Sequence, residues 1–200
     1  MWALILPLLP FAFSLTASPG PNNVLAMALA TNFGYWRTVP VILGFVTGMF
    51  TLIMSVGLGL GHLFGEYPVI REMLKAVAVV YLLYLAWKIA HSGGVEREGT
   101  TTEPMTFLQG MLFQWVNPKA WIVSISAVAT FSNPELGSVL RTVIIAFVFA
   151  IVVFPSVSLW ALFGSAIARF LKSPKVLRFF NYAIAGLLVL SLVPLIFGEL

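Results

Sequence analysis

Long apolar stretches alternate along this chain with short connections rich in glycine, proline or charge. A membrane-spanning helix needs about 20 mostly apolar residues. By that measure the pattern predicts six spans: Trp2–Thr31, Val39–Phe64, Met73–Ala90, Met105–Phe131, Thr142–Ala168 and Phe180–Phe197. Asn32-Phe33-Gly34 and Ser132-Asn133-Pro134 are punctuation of the kind at which helices end. The most polar connection, Ser92 to Pro104, holds Gly-Gly followed by Glu96, Arg97, Glu98 and Glu103. It separates a first half (1–91) from a second (105–200), with a polar linker (92–104), in one transmembrane domain covering 1–200.

Two of these spans carry the same defect at the same depth. Ser18-Pro19-Gly20-Pro21-Asn22-Asn23 interrupts the first, and Asn117-Pro118-Lys119 the fourth. A mid-helix proline removes a backbone donor and clashes with the preceding turn. In hydrocarbon such a break is tolerated only where protein or a water-filled cavity satisfies the freed groups. Three spans per half make the second half enter the membrane from the opposite side. The expected fold is therefore all-α, an integral membrane protein with six transmembrane helices in an inverted 3+3 repeat, helices 1 and 4 broken. Matched interruptions in two halves point to a transporter's substrate site. A plain packing kink is the bland alternative for either break alone.

Composition agrees with the pattern. Hydrophobic residues make up 60% of the chain and charged residues 9%, against about a quarter in soluble domains. Mean hydropathy is +1.00. Cysteine and aspartate are absent, which excludes disulfides, thiolate metal sites and many catalytic schemes. His62 and His91 stand alone near span ends, without a second ligand at metal spacing. The sequence therefore calls for no metal, no cofactor and no catalytic group, and an enzyme reading finds no reactive cluster. Thr16-Ala17-Ser18 is small enough for signal cleavage, but no basic n-region precedes it and the apolar run resumes at Val24, so a retained first span is expected.

The net charge of +4 lies mostly at span ends and forms no stripe suited to nucleic acid. Connections after spans one, three and five hold Arg37, Lys88, Arg97, Arg169, Lys172, Lys175 and Arg178; those after spans two and four hold Arg71, Lys75 and Arg141. The positive-inside rule makes the first set cytoplasmic and turns both termini outward. Trp2, Trp36, Tyr67, Trp87 and Tyr182 fall near span ends, where amphipathic rings suit the headgroup region.

The breaks are the candidate site. A restarting helix offers unpaired N–H groups and about half a positive charge at its N-terminus, which suits a carboxylate. Pro21 fits a first helical turn, and Gly20 allows unusual backbone conformations and close ligand approach. Asn22 and Asn23 sit at the restart. Unwound carbonyls favour an ammonium or a cation. Two facing breaks therefore suit a zwitterion. Lys119 is the only ionisable residue well inside a span, about 20 Å in from Met105 at 1.5 Å per residue. A charge there is a functional hypothesis by default. It could bind a substrate carboxylate, cap freed carbonyls, lose its proton during the cycle, or snorkel to an interface. No acidic residue stands near to pair it or relay protons. Gln114 could bond a ligand, and Trp115 or Trp121 could hold an ammonium on an indole face. Gly44 and Gly48, like Gly57, Gly61 and Gly65, are spaced for close helix approach within or between subunits, which leaves a homo-oligomer open.

Ser-Pro-Gly-Pro-Asn-Asn-Val (18–24), Thr-Asn-Phe-Gly-Tyr-Trp-Arg-Thr (31–38) and Phe-Gln-Trp-Val-Asn-Pro-Lys-Ala-Trp (113–121) together resemble the lysine-exporter/homoserine–threonine-exporter (LysE/RhtB) family. The run Tyr-Leu-Leu-Tyr-Leu-Ala-Trp-Lys (81–88) is similar to its cysteine and O-acetylserine exporters. The resemblance covers all six spans. It implies export of small amino acids across the bacterial inner membrane, driven by the proton-motive force, with an amino acid, protons and the lipid bilayer as partners. Motif by motif it assigns Pro19, Gly20, Pro21, Asn22 and Asn23 to the first signature and Asn117, Pro118 and Lys119 to the second. A superfamily member that passes reducing equivalents through membrane cysteines has no counterpart chemistry here. An uncoupled pore or scaffold is the competing reading.

Overall fold

The computed structural model describes residues 2–60, 66–92, 103–131, 138–171 and 173–193. Most of the polar linker, Ser132-Asn133-Pro134, His62 with Gly61 and Gly65, Lys172 and the end of the sixth span lie outside the described residues. Within them the chain forms α1 (Trp2–Ala17), α2 (Pro21–Phe33), α3 (Tyr35–Ser55), α4 (Pro68–Ala90), α5 (Phe107–Val116), α6 (Pro118–Phe131), α7 (Ser138–Ala168) and α8 (Pro174–Leu190). A π turn over Val56–Leu60 continues α3.

Both expected breaks are present: α1 and α2 meet at 58°, and Asn117 alone separates α5 from α6. Three helical stretches are long and apolar enough to cross a bilayer by themselves: Tyr35–Leu60, Glu72–Ala90 and Val139–Ala168. The bent α1–α2 pair makes a fourth. The remaining two expected spans do not reach single-helix length here, because Asn117 cuts one of them and α8 has 17 residues.

Several helices begin earlier than hydropathy alone suggests. α4 opens at Pro68 and α8 at Pro174, where proline occupies the first turn. Its missing N–H is one of the donors a helix start leaves unused. Proline alone does not break these helices either: Pro7 and Pro10 lie within α1, Pro40 within α3 and Pro155 within α7. α2 ends at Gly34, whose φ of 83° is a left-handed conformation that favours glycine, and the Gly34 N–H closes on Ala30 O at 2.9 Å. α3 starts at the next residue.

Burial divides the helices into centre and rim. α2 is buried on nearly every side, from Asn23 to Thr31. α1 buries only Leu4, Leu8 and Ala12, one face at four-residue spacing, and exposes Trp2, Leu6 and Phe13. α4 likewise hides Leu82, Leu85 and Ile89 and exposes Val80, Leu83, Tyr84 and Trp87. Apolar exposure of this extent belongs to a surface that meets lipid. Trp2, Trp36, Tyr67, Trp87 and Tyr182 are all exposed, as interface anchors are.

Glycines set the closest helix contacts. A β-carbon at Gly44 would run into Phe107 O and lie 2.8 Å from Met111 N, and one at Gly48 would lie 2.5 Å from Met111 O, so α3 and α5 touch backbone to backbone. Gly164 of α7 meets the Met27 carbonyl of α2 in the same way, and Gly57 meets Thr142. The close-approach expectation for Gly44, Gly48 and Gly57 therefore holds. These contacts position both breaks, because α2 lies on α7 and α5 lies on α3.

Candidate functional site

The backbone carbonyls freed at the first break have named partners. Pro19 cannot donate to Leu15 O, and the Ser18 hydroxyl does so instead at 2.9 Å. Pro21 cannot donate to Ala17 O, and the Trp160 indole N–H of α7 reaches it at 3.0 Å. Asn23 Nδ2 donates to Thr16 O (2.8 Å) and Ser18 O (2.9 Å), folding back over the end of α1. Val24 N–H donates to Gly20 O at 3.0 Å, the first bond of α2. Lys119 then crosses from α6: its Nζ donates to Ser18 O at 2.9 Å, Ser18 Oγ at 2.8 Å and Pro19 O at 3.2 Å. An ammonium has three donors, and all three are used.

The second break follows the same grammar. Asn117 precedes Pro118 as an N-cap precedes a first-turn proline, and its Oδ1 accepts the Lys119 N–H at 3.1 Å. With Pro118 unable to reach Gln114 O, the Asn117 N–H donates there at 3.3 Å. Trp115 O receives the Trp121 indole N–H at 2.8 Å. One indole at each break thus supplies a donor to a freed carbonyl.

The two breaks are joined directly. Asn117 Nδ2 donates to Asn22 Oδ1 at 2.7 Å, bridging residues 95 apart in sequence. The same Nδ2 lies 3.4 Å from Gln114 Oε1, while Gln114 Nε2 donates to Phe45 O of α3 at 3.1 Å. Asn23 and Asn117 are 2% and 1% exposed and Gln114 is fully buried. Hydrogen bonds to a charged group contribute about 1.5–3 kcal/mol each. Three of them offset the roughly 2.5–3.5 kcal/mol that a lysine costs at the centre of a spanning helix.

A cavity of about 30 Å³ lies between the breaks. Gly20, Asn22, Asn23, Gln114, Asn117 and Lys119 line it. Pro19, Pro21, Trp115, Pro118 and Trp121 surround these residues without reaching its wall. The two indoles meet edge to face at 6.0 Å. On this measure a water needs about 10–15 Å³, so the space takes two or three waters at most and no amino acid. Asn23 Oδ1 is buried without a hydrogen-bond partner, an acceptor left at the cavity's edge. Gly20 is extended (φ 178°), a conformation open to any residue. A β-carbon there would lie 2.7 Å from Lys119 Cδ and 3.0 Å from Nζ, so an added methyl would displace the flexible end of the lysine.

Several contributors escaped the sequence reading. Thr16 Oγ1 lies 3.1 Å from Ser156 Oγ of α7, and Met49, Val153 and Val157 complete an apolar wall. Ser156 follows Pro155 near the middle of α7, a polar and helix-bending pair that gives some signal. Farther off, Asn32 and Asn181 exchange amide bonds of 3.1 and 3.2 Å, and Asn181 also donates to Ser92 O at 2.7 Å.

Comparisons with known proteins point the same way as the motifs. A family profile described as "LysE type translocator" matches residues 13–196. A cysteine/O-acetylserine efflux protein of Escherichia coli O1:K1 is 31% identical over 174 residues, covering 86% of this chain and 87% of that protein. Its namesake from Salmonella choleraesuis strain SC-B67 is 32% identical over 154 residues, 76% of this chain and 77% of its own length. No solved structure matches. The chain belongs to the LysE family of translocators and is a multi-pass membrane transporter, not an enzyme.

Proposed function

We propose that this protein exports small neutral amino acids or their derivatives, of the cysteine, O-acetylserine, homoserine and threonine kind, from the bacterial cytoplasm across the inner membrane. The observation that carries the reading is the meeting of the two breaks through Asn22–Asn117 and Ser18–Lys119. The efflux relatives narrow the substrate class. Among the described residues no carboxylate lines the cavity, which offers a basic side chain no partner and favours neutral substrates.

Six spans in two inverted halves, 1–91 and 105–200, form one domain. Helix pairing supports this: α3 packs on α7 and α4 on α8, pairings that exchange of the halves maps onto themselves. In the same sense α1–α2 lies along α7, as α5–α6 lies along α3. The substrate binds between the breaks near mid-membrane, and the halves rock around it in alternating access. Proton-motive force drives export, and both termini face the periplasm.

Counterflow in proteoliposomes tests the reading. Labelled cysteine or O-acetylserine should exchange across the membrane and accumulate against its gradient when a pH gradient is imposed. Flux indifferent to the pH gradient and accompanied by channel-like conductance would replace it with an uncoupled pore.

A further inference from the structure

The carbonyls of the first break make an ammonium site, and the protein's own lysine fills it. Ser18 O, Ser18 Oγ and Pro19 O stand 2.9, 2.8 and 3.2 Å from Lys119 Nζ, three acceptors for three N–H donors. All three acceptors belong to the first half and the lysine to the second. Gly20 has no β-carbon, and the lysine side chain runs through the space one would take. The cavity beside it is too small for an amino acid while the lysine stays in place.

We propose that Lys119 is a tethered stand-in for the substrate's ammonium. An arriving amino acid places its ammonium on Ser18 and Pro19, and the displaced Lys119 takes its carboxylate. This rests on the amino-acid reading of the site given above. Both charges stay paired throughout, as a low-dielectric interior requires. A free amine would expel the lysine and leave it without an anion. A free carboxylate would draw the lysine off and leave the carbonyls bare. Only a zwitterion completes the exchange, and the site thereby selects one. The exchange also replaces the direct Lys119 tie between the first break and α6 with one that runs through the substrate.

Two measurements test this. In the first, Lys119→Ala and Lys119→Met are purified in detergent and melted with ethylammonium chloride, with tetramethylammonium chloride as the control lacking N–H groups. The vacated site should take up ethylammonium in the alanine variant, raising its melting temperature by about 3–6 °C at roughly tenfold excess over the dissociation constant. Wild type and the tetramethylammonium samples should not shift. A folded alanine variant indifferent to ethylammonium overturns the proposal. The second uses wild type alone and so survives misfolding of both variants: binding of L-cysteine is compared with cysteamine, which lacks the carboxylate, and with 3-sulfanylpropanoate, which lacks the ammonium. Cysteine should bind at least tenfold more tightly than either. Cysteamine binding as tightly as cysteine overturns the proposal, because the ammonium site would then be open. If wild type binds no amino acid while the alanine variant takes up ethylammonium, the resident cation stands and the amino-acid reading falls.

Discussion

At the scale of the residue, the site is a solution to missing donors. Pro19, Pro21 and Pro118 each leave a carbonyl unserved one turn back, and Ser18, Trp160 and the Asn117 N–H serve them. Asn117 has the heaviest share, capping α6 while donating to Asn22 across the halves. Asn117→Ala should lower stability by about 1–3 kcal/mol, through a lost cap and an orphaned half-buried acceptor on Asn22. Asn117→Asp keeps the cap but turns an acceptor toward Asn22 Oδ1. Its expected loss of stability is smaller, while transport falls at least as far, as thermal melts and counterflow run side by side would show. Equal stability losses in the two variants would deny the cap its role, and transport retained in Asn117→Asp would deny the bridge its own. The motif residues themselves were readable from sequence, because there proline stands next to glycine or asparagine inside an apolar run, a combination that Pro7, Pro10 and Pro155 lack. Trp160, Thr16 and Ser156 were not, since nothing local distinguishes an indole that faces lipid from one that donates to a carbonyl in another helix.

At the scale of the element, small residues decide which helices meet. Gly44 lies against the backbone of α5, whereas a β-carbon at Gly186 of α8 would meet nothing within 4 Å. Gly44→Ala should therefore destabilise by about 1–3 kcal/mol through overpacking. Gly186→Ala should stabilise by about 0.4–1 kcal/mol, because alanine reduces the freedom of the unfolded chain and favours helix. Melting both variants in detergent checks the contrast, and similar shifts for the two would contradict the close α3–α5 crossing. Hydropathy located the apolar helices but misjudged where they begin, because polar or proline first turns are invisible to it. Thr106 and Gln109 form a capping box at the start of α5, with Gln109 Oε1 accepting the Thr106 N–H at 2.9 Å, a sequence signal the span pattern passes over. Proline content was an uncertain guide too. Pro7, Pro10 and Pro155 sit within continuous helices, whereas the breaks pair proline with an N-cap residue, Gly20 or Asn117.

At the scale of the whole molecule, an apolar surface encloses a polar seam where two chain halves meet. That seam was legible because two motifs far apart in sequence share one defect; its closure around Lys119 was not, since a side chain's reach depends on a fold that sequence does not display. Loop charge gives the proposed orientation, and the absence of native cysteine makes it simple to test. Cysteines introduced at Arg169 and Tyr67, both exposed, should be labelled by a membrane-impermeant thiol reagent from opposite faces: Arg169→Cys from the cytoplasmic side and Tyr67→Cys from outside. Labelling of both from one face would overturn the span count between them.

The most direct test joins the two gaps chemically. Asn22→Cys and Asn117→Cys are combined in the otherwise cysteine-free chain, with a protease site placed in the 93–102 connection. Membranes are treated with a short bifunctional thiol reagent and then with protease. The bridge between Asn22 and Asn117 predicts that both halves migrate as one band. Separation into two fragments, although both thiols react with a monofunctional reagent, would show that the interrupted helices do not face each other.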